Sequence, residues 1–296
     1  MVSIRPGPVT LGGVVLDNHL LLAAGILGTT GSSLNRILSS GAGGVVTKSI
    51  GPDPKDGHAG PCLVVLDDGL LNAMGLPNPS KEFVDEITSL AKKPVVVSIF
   101  GGNPAEFARV ASWFEGRVAG FELNLSCPHA EGYGAAIGTD PALVEACTRA
   151  VSVTGIPTWV KLTPNVTDIT SIGKAAERGG ATAIVAINTV KAMRISTGMR
   201  RPMLGNRYGG LSGSAIFPIA VRCVYELYEA CNIPIIGCGG VATADNVIEM
   251  MMAGACAVEI GSAVYHDAKV FETIKAELYK KDGITPLEII GCAHGQ

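Results

Sequence analysis

Residues 121–129 read FELNLSCPH, and this stretch decides how the rest of the chain is interpreted. Phe121, Leu123 and Leu125 alternate with polar residues, which predicts a strand with one apolar face and one polar face. An amide, a hydroxyl, a thiol and an imidazole then collect at the C-terminal end of that strand. Cys127 is therefore a candidate reactive thiol, although free cysteines are also common as small buried apolar residues.

Similar apolar runs recur along the chain, and segments of helical character separate them. Eight strands are predicted, at residues 20–27, 43–48, 94–100, 120–126, 158–162, 183–188, 234–240 and 257–263. The segments between and after them predict helices at 32–40, 80–92, 104–115, 141–153, 168–179, 216–231, 243–253 and 267–280. Strands that alternate with helices pair in parallel, so eight such units predict an α/β fold, the closed (β/α)8 TIM barrel. An open doubly wound sheet is the alternative, but no G-x-G-x-x-G follows the first strand.

Length and composition fit one such domain. We expect a single barrel over residues 1–296, with residues 1–12 as a candidate N-terminal hairpin that closes the barrel bottom. The net charge of −3 provides no basic surface for nucleic acid. The apolar run at 20–27 is far shorter than the roughly 20 residues of a membrane-spanning helix. None of the eight cysteines forms a C-x-x-C pair, which argues against zinc and iron–sulfur ligation by this chain. These features predict a reduced cytoplasmic enzyme that binds no metal, membrane or nucleic acid.

Polar and small residues fall at the C-terminal ends of the predicted strands, where barrel enzymes carry their active sites. Lys48 and Lys161 end strands 2 and 5, and a buried lysine needs an anion, an electron-rich cofactor or a neighbouring carboxylate. Strands 7 and 8 end in Gly239-Gly240 and Gly261-Ser262, and such small residues let backbone N–H groups approach a phosphate. A further glycine-rich loop is predicted at 209–213. Together these segments predict a phosphorylated cofactor across the barrel mouth.

Several motifs, in order along residues 20–265, resemble those of class 1 dihydroorotate dehydrogenases, which are FMN-containing (β/α)8 enzymes of pyrimidine biosynthesis. The motifs are TKS at 47–49, NAMGLPN at 72–78, NLSCP at 124–128, VKLTPN at 160–165, INT at 187–189, GGLSG at 209–213 and GCGG at 237–240. The thiol of Cys127 separates the chain from class 2 enzymes, which place serine there. The segment NTVKAM at 188–193, followed by RRP at 200–202, resembles class 1B more than class 1A.

The resemblance implies oxidation of (S)-dihydroorotate to orotate on the route to UMP, with hydride passing to FMN N5 and Cys127 as the general base. It implies that the substrate is held by Lys48, Asn72, Met74, Gly75, Leu76, Asn124, His129, Asn188 and Thr189. It implies that FMN is held by Ala24, Gly25, Lys48, Ser49, Ser98, Asn124, Lys161, Ile187, Ser212, Gly213, Gly239, Gly240, Gly261 and Ser262. Class 1B enzymes pass electrons to NAD⁺ through a second subunit with FAD and a [2Fe–2S] cluster. The chain is therefore expected to form a homodimer, or a heterotetramer with such a subunit.

Two other functions stay open on the sequence. His129 stands where the family usually has asparagine, and dihydropyrimidine dehydrogenases carry Cys-Pro-His in the same loop. A uracil/dihydrouracil oxidoreductase is therefore the nearest alternative. The segment 72–78 favours dihydroorotate, because it resembles the carboxylate-binding loop of dihydroorotate enzymes. The alternative from another class is a flavin-free TIM-barrel lyase or isomerase acting on a phosphorylated substrate, with Lys161 as a Schiff-base candidate.

Overall fold

The computed structural model describes residues 7–90, 92–114, 116–125, 137–280 and 286–295. Within these residues eight parallel strands form a closed barrel: β1 Leu20–Leu22, β2 Gly44–Val46, β3 Val95–Ile99, β4 Gly120–Asn124, β5 Thr158–Leu162, β6 Ala183–Ala186, β7 Ile235–Cys238 and β8 Ala255–Ile260. Each strand pairs with the next one in chain order, and β8 pairs with β1 to close the barrel. The prediction of a (β/α)8 barrel is confirmed.

Helices cover the outside of the barrel. They are α1 Gly31–Ser39, α2 Val84–Thr88, α3 Pro104–Ser112, α4 Pro141–Ser152, α5 Ile169–Arg178, α6 Phe217–Ala230, α7 Ala244–Met252, α8 Ala263–His266, α9 Val270–Lys280 and α10 Pro286–Ile289. The start of α4 shows how the sequence sets these boundaries, because the Asp140 side chain accepts hydrogen bonds from the backbone N–H groups of Ala142 and Leu143. In the described ranges, no helix is both long and apolar enough to cross a membrane.

Most predicted segments are a few residues shorter in the structure, and two of them differ most from the sequence pattern. The strand predicted at 20–27 ends at Leu22, because Gly25 and Gly28 adopt φ values of +97° and +89° that a strand does not allow. The helix predicted at 80–92 begins with a 3₁₀ turn over Ser80–Phe83 and continues as α2 only to Thr88. Both differences arise from backbone conformation, which hydrophobic periodicity does not report.

A hairpin fills the bottom of the barrel. Its strands, Val9–Leu11 and Val14–Leu16, lie several residues later than the candidate hairpin at residues 1–12, of which residues 1–6 are outside the described part. The turn falls at Gly12 and Gly13, which adopt positive φ values of 50° and 84°. Leu11, Val14 and Leu16 are buried against Trp159 and other apolar side chains of the barrel interior. The N-terminal end of the barrel is thus closed by an apolar plug.

A four-stranded antiparallel sheet stands beside the C-terminal end of the barrel. Its strands follow the order Val190–Ala192, Gly209–Ser212, Gly69–Asn72 and Leu63–Leu66. The interpretation of 209–213 as a glycine-rich loop is therefore wrong over most of its length. A Cβ atom at Gly210 would overlap the Thr189 side chain, so glycine is required here by the close approach of neighbouring chain segments.

Candidate active site

A cavity of about 310 Å³ opens between the C-terminal strand ends of the barrel and the four-stranded sheet. It brings together most of the residues predicted from the sequence to bind substrate or cofactor. These are Ala24, Gly25, Lys48, Ser49, Asn72, Met74, Gly75, Leu76, Asn124, Lys161, Ile187, Asn188, Thr189, Ser212, Gly239, Gly240, Gly261 and Ser262. The cavity is also lined by residues that were not predicted, namely Ala23, Ile26, Leu63, Leu70, Ile216, Cys238 and Tyr265.

Four predicted site residues do not appear in this lining. Ser98 is fully buried behind the cavity wall, where its hydroxyl lies 2.8 Å from the Ser49 hydroxyl. Gly213 follows the strand that ends at Ser212 and lies against Gly240. Cys127 and His129 lie outside the described residues. The role of Cys127 as general base therefore stays a prediction.

A row of hydrogen bonds joins the ends of four strands along one wall of the cavity. The Ser49 hydroxyl, after β2, meets Ser98 on β3 and accepts a hydrogen bond of 3.1 Å from the Asn124 amide at the end of β4. The Asn188 amide, after β6, donates to Asn124 Oδ1 at 3.4 Å. The backbone N–H of Thr189 donates in turn to Asn188 Oδ1 at 2.8 Å. This wall therefore carries amide groups, which can both donate to and accept from a polar ring.

The loop at residues 74–76 borders the cavity and is held from behind by one buried amide. Asn78 Oδ1 accepts hydrogen bonds from the backbone N–H groups of Gly51, at 3.1 Å, and Ser80, at 3.0 Å. The Asn78 amide nitrogen donates to the carbonyl oxygen of Leu76 at 2.9 Å. A single side chain thus connects the cavity loop to the segments before and after it.

The glycines after β7 form a wall that consists of backbone only. Gly239 and Gly240 have φ values of +128° and +75°, in the region that favours glycine. A Cβ atom at Gly240 would lie 2.6 Å from the carbonyl oxygen of Gly213 and 2.8 Å from Phe217 Cβ, at the start of α6. Bare backbone beside a helix N-terminus is a typical phosphate-binding arrangement.

Three ionisable side chains meet inside the barrel directly below the cavity, and we call Glu122, Lys161 and Glu259 the buried charge layer. Lys161 Nζ lies 2.5 Å from Glu259 Oε2 and 3.6 Å from Glu122 Oε1, and both carboxyl groups are fully buried. The two glutamates come from β4 and β8, so the contacts cross the barrel interior. Lys161 thus has the carboxylate partner that the sequence left open, and it also lines the cavity.

The sequence interpretation did not assign Glu122 or Glu259 to the site, although a signal for both was present. Each lies two residues before a residue of the cavity wall, Asn124 and Gly261 respectively. Because side chains on a strand alternate between its two faces, that spacing indicates that both carboxyl groups point into the barrel.

Burial and charge together set the protonation of these groups. Burial raises the pKa of Glu122 well above its usual value, the charge of Glu259 raises it further, and Lys161 opposes both effects. Burial alone would lower the pKa of Lys161, but its interactions with the acidic groups of Cys238, Glu122 and Glu259 raise it well above its usual value. Burial also raises the pKa of the Cys238 thiol to about 12, so this thiol is neutral at pH 7.

Comparison with known proteins shows to which family this chain belongs. The sequence model of the family "Dihydroorotate dehydrogenase" matches residues 8–281. The chain belongs to the dihydroorotate dehydrogenase family. The predicted resemblance to that family is therefore confirmed.

Individual dihydroorotate dehydrogenases are similar over nearly the whole chain. The protein named dihydroorotate dehydrogenase B (NAD(+)), catalytic subunit, of Methanosarcina mazei is 56% identical over 96% of this chain and 94% of its own length. The protein of the same name from Pyrococcus horikoshii is 49% identical over 96% of this chain and 97% of its own length. These names agree with the predicted resemblance to class 1B. The chain is also similar to a crystal structure of a dihydroorotate dehydrogenase from Eimeria tenella in complex with ferulenol, with a TM-score of 0.81 and 20% identity. The matched region is 98% of this chain and 89% of the crystallised chain, which supports the barrel fold.

Proposed function

We propose that this chain oxidises (S)-dihydroorotate to orotate in pyrimidine biosynthesis, as the catalytic subunit of a class 1B dihydroorotate dehydrogenase. The observation that carries the proposal is one cavity where the family's separated motifs converge: the amide row, the loop at 74–76, the buried ammonium of Lys161 and the glycine wall. The names of relatives that are 49–56% identical give the same substrate.

FMN fits the groups that line the cavity. The backbone-only wall at Gly239 and Gly240, with Ser212, Gly261 and Ser262, provides N–H and hydroxyl donors suited to a phosphate. Lys161 places a fixed positive charge on the cavity floor, and apolar side chains of the lining suit an aromatic ring. FMN, when bound, would supply the two-electron acceptor that no amino-acid side chain provides.

The remaining residues bind and orient the substrate. Asn72, Asn124 and Asn188 present amides that match the N–H and C=O groups of a dihydropyrimidine ring. Lys48 and the backbone at 74–76 supply positive charge and N–H donors for a carboxylate. Cys127 would remove the substrate proton, a role supported by the sequence motif that follows β4. The Cys238 thiol is unsuited to that role because its raised pKa keeps it protonated.

The two alternative functions have less support. The names of the relatives favour dihydroorotate over uracil or dihydrouracil as the substrate. A Schiff-base lyase needs a lysine whose amine loses its proton easily. Lys161 has the opposite property, because it is buried beside two carboxyl groups and its pKa is raised.

We further infer that the chain works with a second subunit, which holds FAD and a [2Fe–2S] cluster and delivers electrons to NAD⁺. Support comes from the words "catalytic subunit" and "NAD(+)" in the names of the relatives. The chain would form a homodimer by itself, or a heterotetramer with that subunit, in the cytoplasm. Co-expression with the FAD and [2Fe–2S] subunit of a relative, followed by gel filtration and NAD⁺ reduction assays, tests whether the two subunits form an active complex.

The central experiment mixes the FMN-loaded protein anaerobically with dihydroorotate or with dihydrouracil and follows the absorbance of oxidised flavin. We expect dihydroorotate to bleach the flavin and dihydrouracil to leave it oxidised. Bleaching by dihydrouracil alone, or a protein that cannot be loaded with FMN, would overturn the proposal. The Cys127→Ser variant should keep its flavin and bleach at least ~100-fold more slowly at neutral pH. An unchanged rate would exclude Cys127 as the base.

A further inference from the structure

The buried charge layer contains two carboxyl groups but one ammonium. Glu259 makes the closer contact with Lys161, at 2.5 Å, and Glu122 lies at 3.6 Å. Both oxygens of Glu122 and Oε1 of Glu259 are buried and lack a hydrogen-bond partner in the described part of the chain. The layer therefore has more acidic groups than its single cation can neutralise.

Two ionised carboxylates would leave one negative charge without compensation among fully buried groups, which is unfavourable. Among the described residues, the other titratable group that acts on Lys161 is the Cys238 thiol on β7, two strands away from β5 in the barrel, and it contributes no positive charge. The indole of Trp159 on β5 is also neutral, and its N–H is itself without a partner among the described residues. A proton held on one of the two carboxyl groups removes the excess charge. The raised pKa of Glu122 agrees with this arrangement.

We propose that Glu122 and Glu259 share a single proton and act as positioning residues that keep the buried charge layer neutral, and so limit the charge that Lys161 presents to the ring bound above it. This inference rests on the proposed FMN site, because the ring above Lys161 is taken to be the flavin. It adds two residues, each acting through Lys161, to the cavity residues described above.

Single and double Glu→Gln replacements distinguish a proton shared by the two glutamates from two independent ion pairs with Lys161. If Glu122 is replaced by glutamine, Glu259 keeps its charge and the layer stays neutral. If Glu259 is replaced by glutamine, Glu122 can give up its proton and pair with Lys161, so the layer again stays neutral. Only the double replacement leaves Lys161 without a negative partner. The effects of the two substitutions should therefore be strongly non-additive.

Sulfite binding to the FMN-loaded protein measures the charge presented by Lys161, because sulfite adds to oxidised flavin, bleaches it and leaves negative charge on the ring. We expect Glu122→Gln and Glu259→Gln each to change the sulfite Kd by no more than about threefold. The double variant should bind sulfite about tenfold more tightly or better, as expected for an unmasked nearby charge. A Kd tightened comparably by each substitution and additively by both would overturn the inference, as would an unchanged Kd in the double variant.

Infrared spectroscopy of the flavin-free protein provides a second measurement, and it needs only the single variants. A protonated carboxyl group absorbs at a frequency where ionised carboxylates do not. We expect one such buried band in the unmodified protein and its loss in both Glu122→Gln and Glu259→Gln. A band that is absent from the unmodified protein, or unchanged by both substitutions, would refute the shared proton. Failure of dihydroorotate to bleach the flavin would instead reject the proposed function and leave this band unaffected.

Discussion

Gly240 offers the sharpest test of the backbone-only wall, because the chain contains a matched control. Gly240 and Gly155 have nearly the same positive φ, +75° and +74°, in the region that favours glycine. A Cβ atom at Gly155 would meet nothing within 4 Å, whereas one at Gly240 would lie 2.6 Å from the Gly213 carbonyl oxygen and 2.8 Å from Phe217 Cβ. Alanine at either position thus has a similar cost from the positive φ, and only Gly240→Ala adds a steric clash.

The magnitudes follow from these two contributions. Left-handed backbone costs a non-glycine residue about 1–2 kcal/mol, which is the whole expected loss of stability for Gly155→Ala. Overpacking adds about 1–3 kcal/mol, so Gly240→Ala should lose about 2–5 kcal/mol. For a chain of 296 residues, 1 kcal/mol corresponds to a Tm change of roughly 1.6 °C. The expected decreases in Tm are therefore about 2–3 °C for Gly155→Ala and about 3–8 °C for Gly240→Ala.

Thermal unfolding of the flavin-free variants measures this difference, and fluorescence titration with FMN measures its effect on the site. We expect Gly240→Ala to weaken FMN binding at least about tenfold, because the wall must shift to accept the new methyl group. Gly155→Ala, which lies before β5 at the opposite end of the barrel, should bind FMN normally. Equal Tm decreases together with equal FMN affinities would refute the assignment of this wall.

Three further predictions test the surroundings of the cavity. Lys161→Met removes the cation of the buried charge layer, and we expect the free energy of unfolding at pH 7 to fall by about 3–5 kcal/mol in urea titrations. Folding raises the pKa of the Glu122 carboxyl group, so this group stabilises the fold at low pH and stops doing so as the pH rises. The decrease in unfolding free energy caused by Lys161→Met should therefore be smaller at pH 5 than at pH 8. An equal decrease at both pH values would contradict this. Asn78→Ala leaves buried N–H groups without an acceptor, which should lower stability by about 2–4 kcal/mol and raise the KM for dihydroorotate through the loop at Leu76. Gly210→Ala should also raise the KM for dihydroorotate, because the new methyl group displaces the Thr189 side chain. The double variant Gly210→Ala/Thr189→Gly should regain stability but keep the raised KM. A normal KM in Gly210→Ala would show that the sheet tolerates the methyl group.

The barrel could be predicted from the sequence because its signals are local. Each strand and helix carries its own apolar pattern, and the Asp140 cap marks a helix start within a few residues. The four-stranded sheet lacked such a signal. Its strand Gly209–Ser212 pairs with Gly69–Asn72, more than a hundred residues away, and its glycines are typical of loops. Glycine here reflects close packing between segments, which only the folded chain makes visible.

The cavity lining was largely predictable because the family motifs contain most of its residues. The buried charge layer could not be predicted in the same way. Alternation along β4 and β8 indicates that Glu122 and Glu259 point inward, but it does not indicate which cation they meet. Lys161 and Glu259 are 98 residues apart and come together only when the barrel closes. The same closure determines how many charges share the interior, and therefore their protonation.

The hydrogen-bonded row from Ser98 through Ser49 and Asn124 to Asn188 has a consequence for how tightly the site can bind. Each amide is already fixed in one rotamer by a neighbour on another strand. A ligand therefore meets preorganised partners and does not have to immobilise them, a cost of about 0.5–1.5 kcal/mol for each mobile polar side chain. The rigid barrel strands therefore contribute to ligand affinity. A substitution at Ser98, which lies behind the cavity wall, should weaken ligand binding although Ser98 does not line the cavity.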